Sequence, residues 1–316
     1  MHTGVEATAA RKSPFPMSPT DLSMLFVAVI WGVNFAVVKQ TLNEIAPLAF
    51  ASIRFVLASF FILLYLRTQK ESLHLRREDV WKVVLMGLLG ITISQAFMVR
   101  GIAQSPAGNA SLLVATNPLF VTLFSVALGV EGISLGGVLG IILSFAGVAI
   151  IMSGAGSLDL SNATLTGNLL ILVSCISWAV YTLLAQSLSR RYSPLKVTTL
   201  GIIVGTPFLV LISAGQLLSQ DWGSVSVAGW LGLCYSFMFA GVIAFVMWTV
   251  SLHRAGNTRT AIFSNLVPVI AVLVSWLFLH ESLHLWVIVG AVVTLIGVTI
   301  TRVAPRAAAG GMEEFV

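Results

Sequence analysis

Ten apolar runs of about twenty residues follow one another along this chain, separated by short joints. A bilayer core of ~30 Å takes about 20 residues of α-helix to cross. The expected spans are roughly 21–39, 47–66, 80–101, 106–128, 135–152, 167–187, 196–218, 228–250, 258–279 and 284–302. Turn-forming residues mark the joints: Glu44 to Pro47, Ser105-Pro106, Ser153 to Gly156, Ser193-Pro194 and Ala255-Gly256-Asn257. No joint is long enough to hold a soluble domain. Composition agrees, with 57% hydrophobic and only 9% charged residues, where a soluble domain carries about a quarter. The chain reads as an all-α polytopic membrane protein of ten transmembrane helices.

The basic residues orient it. With the amino terminus placed in the cytoplasm, 14 of the 17 Lys and Arg fall in cytoplasmic segments. Lys39 and Arg100 remain outside, and Arg54 lies within a span. Both termini are therefore expected inside. The basic runs act as topology signals and call for no nucleic acid. Residues 1–20 are polar and rich in proline, with no signal-peptide core, and read as a disordered tail before a helix start at Thr20-Asp21. Cys175 and Cys234 both fall in apolar runs and are expected to be buried packing residues.

An internal repeat organises the spans. At a shift of 150 residues, Pro118 meets Pro268, Glu131 meets Glu281, Gly140 meets Gly290 and Gly147 meets Gly297. At a shift of 147, Trp31 meets Trp178 and Pro47 meets Pro194; at 149, Trp81 meets Trp230. Two five-helix halves result, 21–153 and 167–302, joined by a loop at 154–166 and followed by a tail at 303–316. Five is odd, so the halves enter the membrane from opposite sides. Inverted repeats of this kind are an architecture of secondary transporters, which rock around a midplane site.

The motifs IWGVNFAVVK (Ile30 to Lys39) and IAPLAFASIRF (Ile45 to Phe55) are joined by a P-x12-E-x8-G-x6-G pattern closing each half. In these features the chain resembles the EamA-type transporters of the drug/metabolite transporter superfamily, over about residues 20–302. The resemblance implies a ten-helix carrier, in bacteria an inner-membrane protein, exporting amino acids or other small metabolites without a cofactor. Its partners would be the solute and the bilayer, with a homodimer left open. Members of that family usually show Gly before the Glu and a basic residue after it. Here the corners read Val130-Glu131-Gly132 and His280-Glu281-Ser282.

Polar residues at bilayer depth are costly and are candidates by default. Trp31 and Asn34 share a helix face, and their repeat mates are Trp178 and Tyr181. Gln95 with Met98 pairs with Phe245 and Trp248 at a shift of 150. Asn117 and Asn265 stand beside the prolines, where a bent helix frees carbonyls. These residues are expected to line a central cavity, against the alternative that they only pack and hydrogen-bond between helices. Arg54 either binds a substrate carboxylate or snorkels or pairs structurally, the second being preferred. Structural roles are expected for Pro118, Pro268, Glu131 and Glu281, with Gly140, Gly147, Gly290 and Gly297 as close-packing surfaces.

One motif points elsewhere. His280-Glu281-Ser282-Leu283-His284 spells H-E-x-x-H, which on a helix would put two zinc-binding histidines on one face. A zinc hydrolase built on it needs a third ligand at bilayer depth, and no Asp or Glu lies inside any span. The corner falls where two apolar runs break, so a loop with a structural glutamate is the expected reading. Enzyme and passive channel stand as the alternatives to a carrier.

Overall fold

The computed structural model describes residues 19–69, 72–129, 132–154, 163–248, 250–251, 263 and 266–303. The expected tails at 1–20 and 303–316, and the loop at 154–166, lie largely outside the described residues, as do Glu131 and Asn265. Among the described residues there is helix and no strand. This follows from the solvent: lipid offers no hydrogen bonds, and a helix satisfies its own backbone.

The helices are α1 (Pro19–Thr41), α2 (Pro47–Thr68), α3 (Val80–Gly87), α4 (Ser94–Gln104), α5 (Ala107–Val114) and α6 (Asn117–Ala127). They continue as α7 (Leu135–Gly154), α8 (Ala163–Ser189), α9 (Pro194–Ser219), α10 (Val227–Cys234), α11 (Leu266–Leu279) and α12 (Leu285–Val303). Seven stretches are long and apolar enough to cross a membrane: Pro19–Thr41, Pro47–Thr68, Arg77–Gln104, Ala107–Ala127, Ala163–Ser189, Pro194–Ser219 and Val227–Trp248. Three shorter apolar helices accompany them, Leu135–Ile151, Leu266–Leu279 and Leu285–Thr301. Pro47 and Pro194 open their helices in the first turn, where a missing N–H costs nothing. Ser193 Oγ accepts the Lys196 N–H at 3.1 Å, and Ser226 Oγ accepts that of Gly229 at 3.2 Å, capping α9 and α10. Large apolar side chains such as Phe60, Leu211 and Phe278 face outward, as a lipid-facing surface requires.

Three spans depart from plain helices. The expected helix over 106–128 is interrupted by a turn at Ala115 and Thr116. Pro118 has no N–H to give back to Val114, and the Thr116 hydroxyl instead donates to the Leu113 carbonyl at 2.6 Å. The other two departures are π-helical segments that neither periodicity nor composition announced. Leu88–Ile93 joins α3 to α4, and Tyr235–Ile243 follows α10. They occupy corresponding places in the two halves of the sequence.

Helix packing is reciprocal between those halves. α1 packs on α11 as α8 packs on α6, and α8 packs on α3 and the first π segment as α1 packs on α10 and the second π segment. The first π segment packs on α9 as the second packs on α2. α2 with α9, and α7 with α12, pair with each other directly. The α7–α12 crossing is built from the four spaced glycines. A methyl group at Gly147 would stand 2.7 Å from the Gly290 carbonyl oxygen, and one at Gly290 would stand 2.7 Å from that of Gly147. Gly140 and Gly297 make the same reciprocal approach, at 2.8 and 2.7 Å. Such backbone contact is what small residues permit between membrane helices.

One packing expectation is corrected. Cys175 is buried, but Cys234 is exposed on the outer surface of the span that begins with α10. The thiol there faces the apolar surroundings of a membrane span, which penalise it far less than a charged group.

Candidate functional site

Each π segment presents a backbone carbonyl to a side chain of the other half. Trp31 on α1 donates its indole N–H to the Ala240 carbonyl at 3.1 Å, and Ser177 on α8 donates to that of Leu89 at 2.8 Å. Trp31 and Ser177 lie on the first helix of opposite halves. The π turns are thus stitched to the facing half by side chains that lipid could not replace.

Between them lies a cavity of about 490 Å³, joined to a second of about 240 Å³ through shared walls at Trp31, Phe35, Arg54 and Gln95. The larger volume falls in the range of about 300–1,000 Å³ typical of small-molecule sites. Trp31, Arg54, Gln95, Asn117, Trp178, Tyr181, Phe245 and Trp248 line the larger cavity; Asn34 and Met98 line the smaller. Asn265, also expected on the cavity wall, lies outside the described residues. Pro118 and Pro268 also reach the cavity wall. The aromatic walls are paired: Trp31 and Trp248 meet with ring centroids 5.1 Å apart, and Trp178 stacks on Tyr181 at 4.5 Å. Both separations lie within the preferred range for interacting rings.

Sequence reasoning missed Phe35, Phe55, Ile91, Ser111, Thr198 and Gly241, all on the wall of the larger cavity. Phe35 stood one turn beyond Trp31, so helical periodicity could have found it. Ile91 and Gly241 come to the wall through the π segments, for which the sequence carried no signal.

Arg54 does not snorkel. Its Nη2 donates to Gln95 Oε1 at 3.1 Å, and its Nη1 reaches Ser236 Oγ at 3.5 Å, a long contact. The guanidinium lies 4.9 Å from the centre of the Phe55 ring. Its polar partners are therefore neutral. The buried carboxamide oxygens of Asn34 and Asn117 find no hydrogen-bond partner among the described residues. An unpaired buried oxygen costs about 1–3 kcal/mol, which a donor arriving in the cavity offsets.

The His280 corner is a loop. Residues 280–284 are not helical, so the two histidines do not share the helix face that a zinc pair needs. No group of three or more His, Cys, Asp or Glu placed to hold a metal occurs among the described residues. His280 has a φ of 52° and ends α11 in the left-handed region, where histidine is enriched among non-glycine residues. Gly129, just past α6, ends its helix the same way, at φ 68°. Glu281 then turns back onto the other half. Its Oε1 accepts the Ala107 N–H at 2.8 Å, and its Oε2 accepts that of Gly108 at 3.2 Å, at the amino terminus of α5. A carboxylate there meets unpaired N–H groups and the positive end of the helix dipole. His284 Nε2 pairs only with Ser282 Oγ, at 3.2 Å.

Comparison with known proteins follows the same lines. The sequence profile of the EamA-like transporter family matches residues 18–153 and again residues 165–303. An "Uncharacterized transporter" of Archaeoglobus fulgidus is 29% identical over 287 residues, covering 90% of this chain and 97% of its own length. "Uncharacterized transporter YvbV" of Bacillus subtilis is 29% identical over 310 residues, covering 95% and 97%. A "Probable amino-acid metabolite efflux pump" of Salmonella typhimurium is 28% identical over 289 residues, covering 87% and 92%. A solved crystal structure shares the fold, with a TM-score of 0.63 at 17% identity over 90% of this chain and 96% of that one. The chain is a multi-pass membrane protein and belongs to the EamA-like transporter family of the drug/metabolite transporter superfamily.

Proposed function

We infer that this protein is a secondary carrier that moves a small organic solute out of the cell by alternating access around the central cavity. The observation that carries this reading is the cavity itself: it lies between two sets of helices that pack reciprocally, with matched π turns on opposite walls. Ten spans arranged as two inverted halves, 21–153 and 167–302, with both termini cytoplasmic, give such a cavity two equivalent ways to open. The basic-residue bias supports that orientation. In a bacterium the protein would stand in the inner membrane.

Polar contacts between the halves gather at both ends of the bundle. At one end Gln220 Oε1 accepts the Ala46 N–H at 2.8 Å, Gln216 Oε1 accepts that of Leu48 at 2.7 Å, and Glu281 caps α5. At the other, Tyr192 donates to Asp79 Oδ2 at 2.8 Å, and Lys196 Nζ donates to the His74 carbonyl at 2.7 Å. Breaking one set while keeping the other is the motion alternating access requires. The relative named as an amino-acid metabolite efflux pump supports export of a metabolite of that size. No carboxylate lines the cavity among the described residues, which favours exchange or facilitated flux over an obligatory proton relay. The protein acts as a carrier and not an enzyme, with no cofactor.

A counterflow screen of radiolabelled amino acids and related metabolites in proteoliposomes, with and without a pH gradient, tests this directly. Saturable counterflow is expected; flux that neither saturates nor shows counterflow would mean a channel. Asn34→Ala and Tyr181→Ala are each expected to raise the half-saturating concentration, and no effect from either would remove the cavity assignment. Replacing both His280 and His284 by Ala leaves transport intact on this reading and abolishes activity on the hydrolase reading.

A further inference from the structure

Arg54 is the one charged side chain among the described residues that line the joined cavities. It makes two hydrogen bonds, one of them long, to neutral oxygens. No ion pair of Arg54 occurs among the described residues. A guanidinium carries five N–H donors in a planar fork that matches a carboxylate. Keeping it at bilayer depth without a counter-charge is costly, and that cost is tolerated where the charge has work to do.

The charge is also unsymmetrical. Under the 147-residue shift that matches Trp31 with Trp178, the counterpart of Arg54 is Gly201. With glycine at that place, the second half presents no side chain there. The two halves therefore share aromatic walls, but only the first supplies a cation. One fixed positive charge matches one negative charge. A dianionic phosphate would leave a surplus charge in a cavity otherwise lined by neutral groups. The same cavity is walled by Trp31, Trp178, Tyr181, Phe245 and Trp248, flat surfaces suited to a ring.

We propose that Arg54 anchors a carboxylate in the cavity, and that the solutes this carrier selects are aromatic monocarboxylates in preference to their uncharged amides and their amines. The proposal deepens the carrier reading and rests on it for the word carrier, but the binding preference stands on the cavity alone. The guanidinium would give the carboxylate two parallel N–H bonds, and Gln95 would hold the guanidinium in place through the bond it already makes.

The test is binding to the purified full-length protein in detergent at pH 7.5, read by the fluorescence of the tryptophans that line the cavity. The probes are phenylacetate, phenylacetamide and 2-phenylethylamine. Phenylacetate is expected to bind about tenfold or more tighter than phenylacetamide, since charge-assisted bonds are roughly twice as strong as neutral ones, and the amine weakest of the three. Arg54→Gln removes the preference of acid over amide, and Arg54→Lys, which keeps the charge but loses the fork, retains part of it. Equal affinity for acid and amide in the unaltered protein overturns the proposal without any variant having to fold. So does an Arg54→Gln protein that binds the acid as tightly as the parent. Acid-selective binding without counterflow would sink the carrier reading and leave this proposal standing. Counterflow of amides and amines with no acid preference would do the reverse.

Discussion

Replacing Gly147 by Ala puts a methyl group into the closest part of the α7–α12 crossing. It would stand 2.5 Å from the Thr294 backbone nitrogen and 2.7 Å from the Gly290 carbonyl oxygen, inside the 3.4 Å at which ordinary contact begins. The backbones must separate by up to about 0.9 Å. Overpacking of this kind costs about 1–3 kcal/mol, offset in part by the ~1 kcal/mol helix preference of Ala over Gly. A net loss of up to about 2 kcal/mol is expected in unfolding by mixed detergent micelles, followed by circular dichroism. Gly290→Ala makes the reciprocal clash and should cost a similar amount. Because the first methyl already parts the helices, the double variant should lose less than the sum of the two, which a double-mutant cycle measures. Gly215→Ala, in α9, is the control: nothing stands within 4 Å of its added methyl, so it should be neutral or stabilising. Additive losses at 147 and 290, or a loss at 215 equal to either, would refute the account of this crossing as a glycine contact.

Three other perturbations test separate parts of the structure. Glu281→Ala removes two charge-assisted bonds to the start of α5 and should cost about 1.5–3 kcal/mol, with Glu281→Gln costing less because it keeps one acceptor; equal melting temperatures for all three proteins would show that the cap is idle. Trp31→Phe removes the indole donor from the Ala240 carbonyl, so a loss of about 0.5–1.5 kcal/mol is expected together with weaker solute binding, read by calorimetry; unchanged stability would mean that this bond does not hold the π turn. Tyr192→Phe deprives the buried Asp79 of its 2.8 Å donor and the Arg76 N–H of its 3.1 Å acceptor, so hydrogen exchange at the Arg76 amide should accelerate. Unchanged exchange there would show that the contact between these loops does not hold them.

Much of the site was legible because membrane sequences punish polar residues. Asn34, Gln95, Asn117 and Arg54 stood out against apolar runs, and each faces a cavity. The repeat also paired residues correctly as groups: Trp31 and Trp178 line opposite walls, and the glycines at 140, 147, 290 and 297 meet in one crossing. What the repeat could not supply was the identity of the contacts. Trp31 stacks on Trp248, whereas Trp178 stacks on its own neighbour Tyr181. For Arg54 the sequence favoured snorkelling or structural pairing, since its position along the helix was known but not the direction of the face that carries it.

Apolar run length, basic-residue bias and the spacing of Pro, Glu and Gly were enough by themselves to establish an all-helical membrane protein and to point to its family. These depend on the solvent and on local backbone limits, which act on each segment separately. The His280 corner shows where local reading stops. As a string it spells a zinc motif, and only the folded chain shows His280 closing α11 in a left-handed turn and Glu281 capping a helix 174 residues away. The π turns and the neutral company of Arg54 were likewise decided by tertiary packing. The groups that meet them come from helices distant in the sequence.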